Sequence, residues 1–235
     1  MIFSQQNGEI KLEESTHKYI LEGHEDIEFT SVTTCISEFF DKFDKEAVAY
    51  KLVTTIPKYK GISAEDLIKE WEATANYGTA VHKEIEDYIK HKKAPEIDRA
   101  IAGVNWLNKY LQKSDYEIFS EVIIYCKKLK IAGTIDLLVF DKGSQKYSIL
   151  DWKTSKVIKT DSYKMKTGNK SETKDLLDCK FNHYSLQLSL YRYLLEKNYN
   201  LQLDDQLIIH LDSDTVHGYI TPYFKEHIVS ILKHY

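Results

Sequence analysis

Hydrophobic and polar positions alternate most clearly in the middle of the chain. Tyr116–Cys126, Leu129–Phe140 and Lys146–Thr154 are rich in β-branched and aromatic residues and read as three strands. The last two are separated by Asp141-Lys-Gly-Ser-Gln145, a short glycine-containing turn, and are expected to pair as a hairpin. Side chains alternate along a strand, so Asp151 and Lys153 share a face and Trp152 points away from it. Before these strands the pattern is mostly helical. Residues 1–30 read as short strands with a turn at Gly23-His24. Ser31–Phe40 reads as a short helix capped by Ser31 or Thr30, and Asp44 to about Thr55 as a second. Ser63-Ala-Glu-Asp opens a third helix that runs to about Asn76. Gly78 breaks or bends the path there, and Thr79 to Lys92 continues with Val81, Ile85, Tyr88 and Ile89 as its apolar stripe. Pro95 starts another helix, ending near Lys113. After the strands, residues 155–181 are polar, lysine-rich and aperiodic, the mark of a long mobile loop. His183–Glu196 reads as an amphipathic helix, Gln206–Leu211 and Val216–Ile220 as a strand pair, and Pro222–Lys233 as a terminal helix. This order predicts an α/β (α+β) protein with a mixed central sheet flanked by helices.

Composition narrows the picture. A chain of 235 residues with 43% hydrophobic content can bury a substantial core. No apolar run is long enough for a membrane span, so no membrane partner is expected, and the N-terminus lacks the features of a secretory signal. The cysteines, Cys35, Cys126 and Cys179, are far apart and odd in number. They fit neither a zinc site nor a disulfide framework, suit a reducing cytoplasm, and are too few for a four-cysteine iron–sulfur cluster. Lysine greatly outnumbers arginine, which fits an AT-rich bacterial or viral genome. A net charge of −4 argues against a general nucleic-acid coat, but not against a nuclease whose acids serve as metal ligands.

The chemistry converges on Asp136, Asp151 and Lys153. Two acids and a lysine at one end of a sheet suit phosphodiester hydrolysis. Acids can hold Mg²⁺ or Mn²⁺, and the ammonium can steady the attacking water or the charge growing on phosphate. An acid beside a lysine is more often a solvated pair. The neighbouring Gly133-Thr-Ile-Asp136 tips the balance toward function.

Gly133-Thr-Ile-Asp136 followed by Ile149-Leu-Asp-Trp-Lys-Thr154 resembles the core of the PD-(D/E)XK nucleases, and in particular their RecB-like exonuclease branch. Gly78-Thr-Ala-Val-His82 resembles that branch's glycine-threonine-x-x-histidine motif, and Gln187-Leu-Ser-Leu-Tyr191 its glutamine-x-x-x-tyrosine motif. Ser31-Val-Thr33 is similar to a segment of mitochondrial genome maintenance exonucleases. The resemblance implies one nuclease domain over residues 1–235 with a restriction-endonuclease-like core. Within it, residues 1–115 supply strands and a helical arch, and residues 116–235 the core. It implies Asp136, Asp151, His82 and the Trp152 backbone carbonyl as ligands to Mg²⁺ or Mn²⁺, and Lys153 as catalytic. Glu121, Glu86, Gln187 and Tyr191 become supporting residues, with Glu86 orienting the His82 ring. Lys156, Lys159, Lys164, Lys166 and Tyr184 are candidates for gripping DNA. The activity implied is exonucleolytic, on DNA with a free end and chiefly single-stranded, with replication or recombination proteins as partners. The alternatives are an endonuclease and a DNA-binding subunit that no longer cuts.

Overall fold

The computed structural model describes residues 9–13, 15–212 and 215–235. A small hairpin, β1 (Ile10–Glu13) and β2 (Lys18–Leu21), precedes the main sheet. It turns before His17, while Gly23 lies beyond its end with φ at 74°. The main sheet comprises β3 (Thr30–Ser31), β4 (Tyr116–Cys126), β5 (Ile131–Asp141), β6 (Lys146–Lys153), β7 (Leu203–Leu211) and β8 (Val216–Ile220). Strands β4, β5 and β6 form an antiparallel meander, β6 pairs with β7 in parallel, and β7 with β8 antiparallel. It is the mixed sheet that the pattern predicts.

Among the described residues there are six α-helices: α1 (Val32–Ser37), α2 (Lys45–Thr55), α3 (Ala64–His91), α4 (Asp98–Leu111), α5 (Lys180–Asn198) and α6 (Lys225–Ile231), with α2 packed on α3. Ser31, Asp44 and Ser63 cap the first three, each side chain accepting a backbone N–H of the first turn. On one face of the sheet, Val32 and Phe39 pack with Leu186, Leu190 and Leu194 of α5 and Ile228 of α6. On the other, Val81 and Ile85 of α3 and Val104 and Leu107 of α4 pack on Leu150, Trp152 and Ile209. Among the described residues no helix is long and apolar enough to cross a membrane.

Three expectations change. Helix α3 does not break at Gly78 but runs for 28 residues through it. Helix α5 is not amphipathic but buried on most sides: Ser185 and Ser189 are buried as well, and Phe224 of the C-terminal segment donates its N–H to Ser189 Oγ at 3.0 Å. The segment 155–181 is a connection as expected, but it holds two short 3-10 turns, Tyr163–Met165 and Ser171–Thr173, enters α5 at Lys180, and is tied down. Asn169 donates its backbone N–H to the Phe39 carbonyl at 3.0 Å, as does the Thr173 hydroxyl at 2.8 Å, and Lys166 pairs with Asp41 at 3.0 Å.

Candidate active site

Strand β5 makes the site by changing partners. Strand β4 lines one of its edges throughout. On the other edge β3 pairs at Ile131 and Ala132, and β6 only from Leu137 to Asp141. Gly133–Asp136 therefore has no strand beside it on that edge. From Asp151 onward β6 belongs to β7 alone, with Asp151 opposite Ile208 and Lys153 opposite His210. The sheet forks, and the Asp136 carboxylate bridges the fork: its Oδ2 accepts the Trp152 backbone N–H at 2.8 Å. Alternation along β5 slips at the same point. Ile135 packs on the α5 face and Leu137 on the α3 face, although they are two residues apart.

One side of the fork is closed. Asp151 and Lys153 point toward α5, Asp151 being 3% exposed and the Lys153 side chain 17%. They form an ion pair, Asp151 Oδ2 to Lys153 Nζ. Gln187 Nε2 lies 3.4 Å from Asp151 Oδ1 and 3.4 Å from the Tyr191 hydroxyl. The Lys153 ammonium sits 4.6 Å from the centre of the Tyr184 ring, a cation–π contact. Burial pushes the Asp151 carboxyl up to about 6, with Asp136 adding to the rise and Lys153 opposing it. Burial alone would lower Lys153, but the Asp151 and Asp136 carboxylates outweigh it and hold the ammonium above its ordinary value. Lys153 therefore stays charged at neutral pH, so it can stabilise negative charge but cannot serve as a general base.

The other side is an open cleft of about 340 Å³, lined by Gly78, Thr79, His82, Lys83, Glu86, Glu121 and Asp136. His82 Nδ1 faces Asp136 Oδ2 at 3.4 Å. Glu121 lies opposite Asp136 in the β4–β5 register, at the one rung the ladder skips. Its backbone is left-handed, with φ at 51°, a conformation that costs a non-glycine residue on the order of 1–3 kcal/mol. Burial raises the Glu121 carboxyl to about 8, and the Asp136 and Glu86 charges push the same way. Among the described residues no three His, Cys, Asp or Glu side chains converge as a ready-made metal cage.

Two glycines let the helices close on the fork. A Cβ at Gly78 would meet Thr154 Oγ1 at 2.7 Å, so glycine there brings α3, and His82 with it, against the end of β6. A Cβ at Gly133 would meet the Tyr191 ring at 2.6 Å and Val32 at 2.9 Å, so glycine there seats α5. The sequence-derived set thus gathers around one fork, with exceptions. Glu86 does not orient His82: its carboxylate is taken by Lys83 at 3.0 Å and Lys90 at 2.6 Å, although it still lines the cleft. Lys166 is occupied by Asp41 and Asp178, and Tyr184 lies under Lys153. Lys164 sits 5.4 Å from the centre of the Tyr163 ring, out on the connection. Sequence reading missed Arg99 and His210. Arg99 Nη1 donates to the Thr154 carbonyl at 2.8 Å, and His210 Nε2 meets the Ser155 carbonyl at 2.5 Å. Together they fix the chain where it leaves β6. No local signal marks either, because each contact spans 55 residues.

No curated protein matches the chain. Among solved structures it is similar to one titled "Crystal structure of SSO0001", at 15% identity and a TM-score of 0.38, covering 87% of this chain and 73% of that one. Residues 57–217 match the model of the PD-(D/E)XK nuclease superfamily, a span that contains His82, Asp136, Asp151, Lys153, Gln187 and Tyr191. With most of its length matched, the chain belongs to the PD-(D/E)XK nuclease superfamily.

Proposed function

We propose that the protein is a divalent-metal-dependent DNA exonuclease of the RecB-like branch, acting on ends of single-stranded DNA. One observation carries this reading. The fork sets Asp136 beside both His82 and the strand bearing the Asp151–Lys153 pair. The two outlying motifs meet it from either side, Gly78 against Thr154 and Gln187 against Asp151. Residues 1–235 then act as one nuclease domain, because His82 comes from the helical half and its partner Asp136 from the sheet.

The residues fit Mg²⁺ or Mn²⁺ as an open centre that keeps several waters, rather than as a closed protein cage. The donors are carboxylate oxygens and one imidazole nitrogen. Glu121 and Asp136 crowd two carboxyls into one cleft, a conflict that a cation would relieve. Asp136, Asp151, His82 and the Trp152 carbonyl are the proposed ligands. What a divalent ion supplies in such a centre is neutralisation of the phosphate and a more acidic water. Lys153, held by Asp151 and steadied over Tyr184, places a fixed positive charge where the phosphate becomes more negative. Gln187 keeps Asp151 in position, and Glu121 holds or releases a proton beside Asp136.

The test is end-labelled linear and circular DNA, single- and double-stranded, with Mg²⁺ or Mn²⁺ and a Lys153→Ala control. Linear single strands should be shortened from an end while circles survive. Cutting of circular single strands would make the enzyme an endonuclease, and binding without any cleavage would make it a non-cutting subunit.

A further inference from the structure

Seven lysines lie on or next to the connection between β6 and α5, and the structure sorts them. Lys166 is consumed by Asp41 and Asp178, and Lys170 lies 4.1 Å from the centre of the Phe39 ring. Lys164 sits over Tyr163, and Lys174 is exposed. Lys156, Lys159 and Lys180 are exposed as well, but they share one concave site. They line one pocket of about 370 Å³, with Ser162 at its wall. Among the described residues, no carboxylate lies within ion-pair distance of any of the three. Two acids also line the pocket. Asp178 is engaged elsewhere, by Lys166 at 3.2 Å and His183 at 2.9 Å, and Asp161 is exposed. Backbone contact holds the pocket together, the Phe181 N–H donating to the Lys159 carbonyl at 3.1 Å. Burial lowers the Lys180 ammonium, and the neighbouring Lys159 charge adds to the effect. Uncompensated like charges brought together in a concave site attract an anion.

The pocket is also aligned with the active site. Lys180, Tyr184, Gln187 and Tyr191 follow one another on α5 at spacings of four, three and four, so they lie on one face of the helix. Tyr184 carries the Lys153 ammonium and Gln187 contacts Asp151. Lys180 is therefore about 10 Å along the helix axis from Gln187. Lys156 lies three residues past Lys153 on the chain.

We infer that Lys156, Lys159 and Lys180 form a phosphate-binding pocket that holds a DNA phosphate neighbouring the scissile one and feeds the strand along the Lys180–Tyr184–Gln187 face of α5. The inference rests on the nuclease reading for its ligand. The phosphate is either an internal diester or a terminal monoester, since the same ammonium groups recognise both.

Binding of the full chain to fluorescent oligonucleotides, in Ca²⁺ to prevent cutting, distinguishes them. The substrates are circular single strands and linear ones ending in a 5′-phosphate, a 3′-phosphate or hydroxyls. For the double variant Lys159→Gln/Lys180→Gln, the slope of log K against log salt should become shallower by about 1.4, at about 0.7 per lost phosphate contact on single strands. Lys159→Arg/Lys180→Arg should keep the native slope, and so should Lys174→Gln. Equal loss on circles and on all linear strands assigns an internal phosphate, and loss confined to one phosphorylated end assigns a terminal one. A native slope for the double Gln variant on every substrate overturns the pocket. If the slope falls but wild-type protein cuts no DNA in Mg²⁺ or Mn²⁺, the pocket stands and the nuclease reading fails.

Discussion

The two sides of the fork solve the problem of charge in opposite ways. On the α5 side an acid and a base neutralise each other in a nearly dry setting, Asp151 at 3% exposure with Lys153 as its partner. On the α3 side His82, Glu86, Glu121 and Asp136 gather acids in an open cleft, and the strain shows in a left-handed Glu121 and a carboxyl raised to about 8. The closed side is complete in the protein alone. The open side is incomplete: Glu121 and Asp136 compete to carry charge there, a conflict that an incoming cation would relieve. Substitutions on the closed side should therefore cost both stability and turnover, and those on the open side chiefly turnover and its dependence on metal.

The largest effect is expected at the ion pair. Lys153→Ala should reduce cleavage by about 10³-fold, as for loss of a buried electrostatic stabiliser, while DNA binding in Ca²⁺ stays near wild type. Each of Lys153→Ala and Asp151→Ala leaves a buried partner that can neutralise itself, Asp151 by taking up a proton and Lys153 by losing one, so both should destabilise, by about 3–5 kcal/mol, in urea unfolding. Wild-type stability in both variants would contradict this account of the closed side.

Next comes His82→Ala, expected to lower activity about 10–100-fold and to raise the Mn²⁺ concentration needed for half-maximal rate, with little change in Tm. A large Tm loss with unchanged metal dependence would make His82 structural. Third are the glycines. Gly133→Ala should cost about 1–3 kcal/mol by forcing Tyr191 and Val32 apart. Gly78→Ala pushes on a single threonine hydroxyl and should cost less, while displacing His82 from Asp136. Last comes a pH dependence. Glu121 titrates at its ordinary 4.5 when unfolded and near 8 when folded. Between those values the folded state holds the extra proton, so metal-free protein should lose stability as pH rises from about 4.5 through 8. Glu121→Gln should flatten that decline, measured as Tm in a chelator, and Mg²⁺ should flatten it in the wild type. A decline of the same size in Glu121→Gln would remove Glu121 as its source.

Much of this site could be read from local patterns, because hairpins are local. Period-two alternation and the turn at Gly143 located Asp136, Asp151 and Lys153, and the turn is as expected, with Gly143 N–H donating to Asp141 Oδ1 at 2.9 Å. Resemblance to family motifs, rather than spacing, pointed to His82, Gln187 and Tyr191. What stayed hidden depends on contacts across the fold. Gly78 reads as a helix break because its reason is Thr154, far away in sequence just past β6. The helix bearing Ser189 reads as amphipathic because nothing near that residue shows that Phe224 and Gln206 reach its hydroxyl. Glu121 gives no warning of a left-handed backbone, a conformation that sequence signals only through glycine or asparagine. The 155–181 segment was recognisable as a connection by its lack of period, but the contacts pinning it to Phe39 and Asp41 were not.

The fork also divides the molecule by the distance that chain segments must travel to meet. The β4–β5–β6 meander forms from neighbours, whereas the parallel β6–β7 pairing must wait for residues 154–202 to cross over and for α5 to dock. Non-local pairings of this kind are slow. The strand that carries Asp151 and Lys153 thus acquires its second edge late, and until then it presents an unpaired template for other chains. Ile208→Val on β7 should accordingly speed unfolding while barely slowing folding, whereas Leu138→Ala on β5 should slow folding itself. The proposed catalytic strand is thus also the one whose second edge depends on a distant part of the chain.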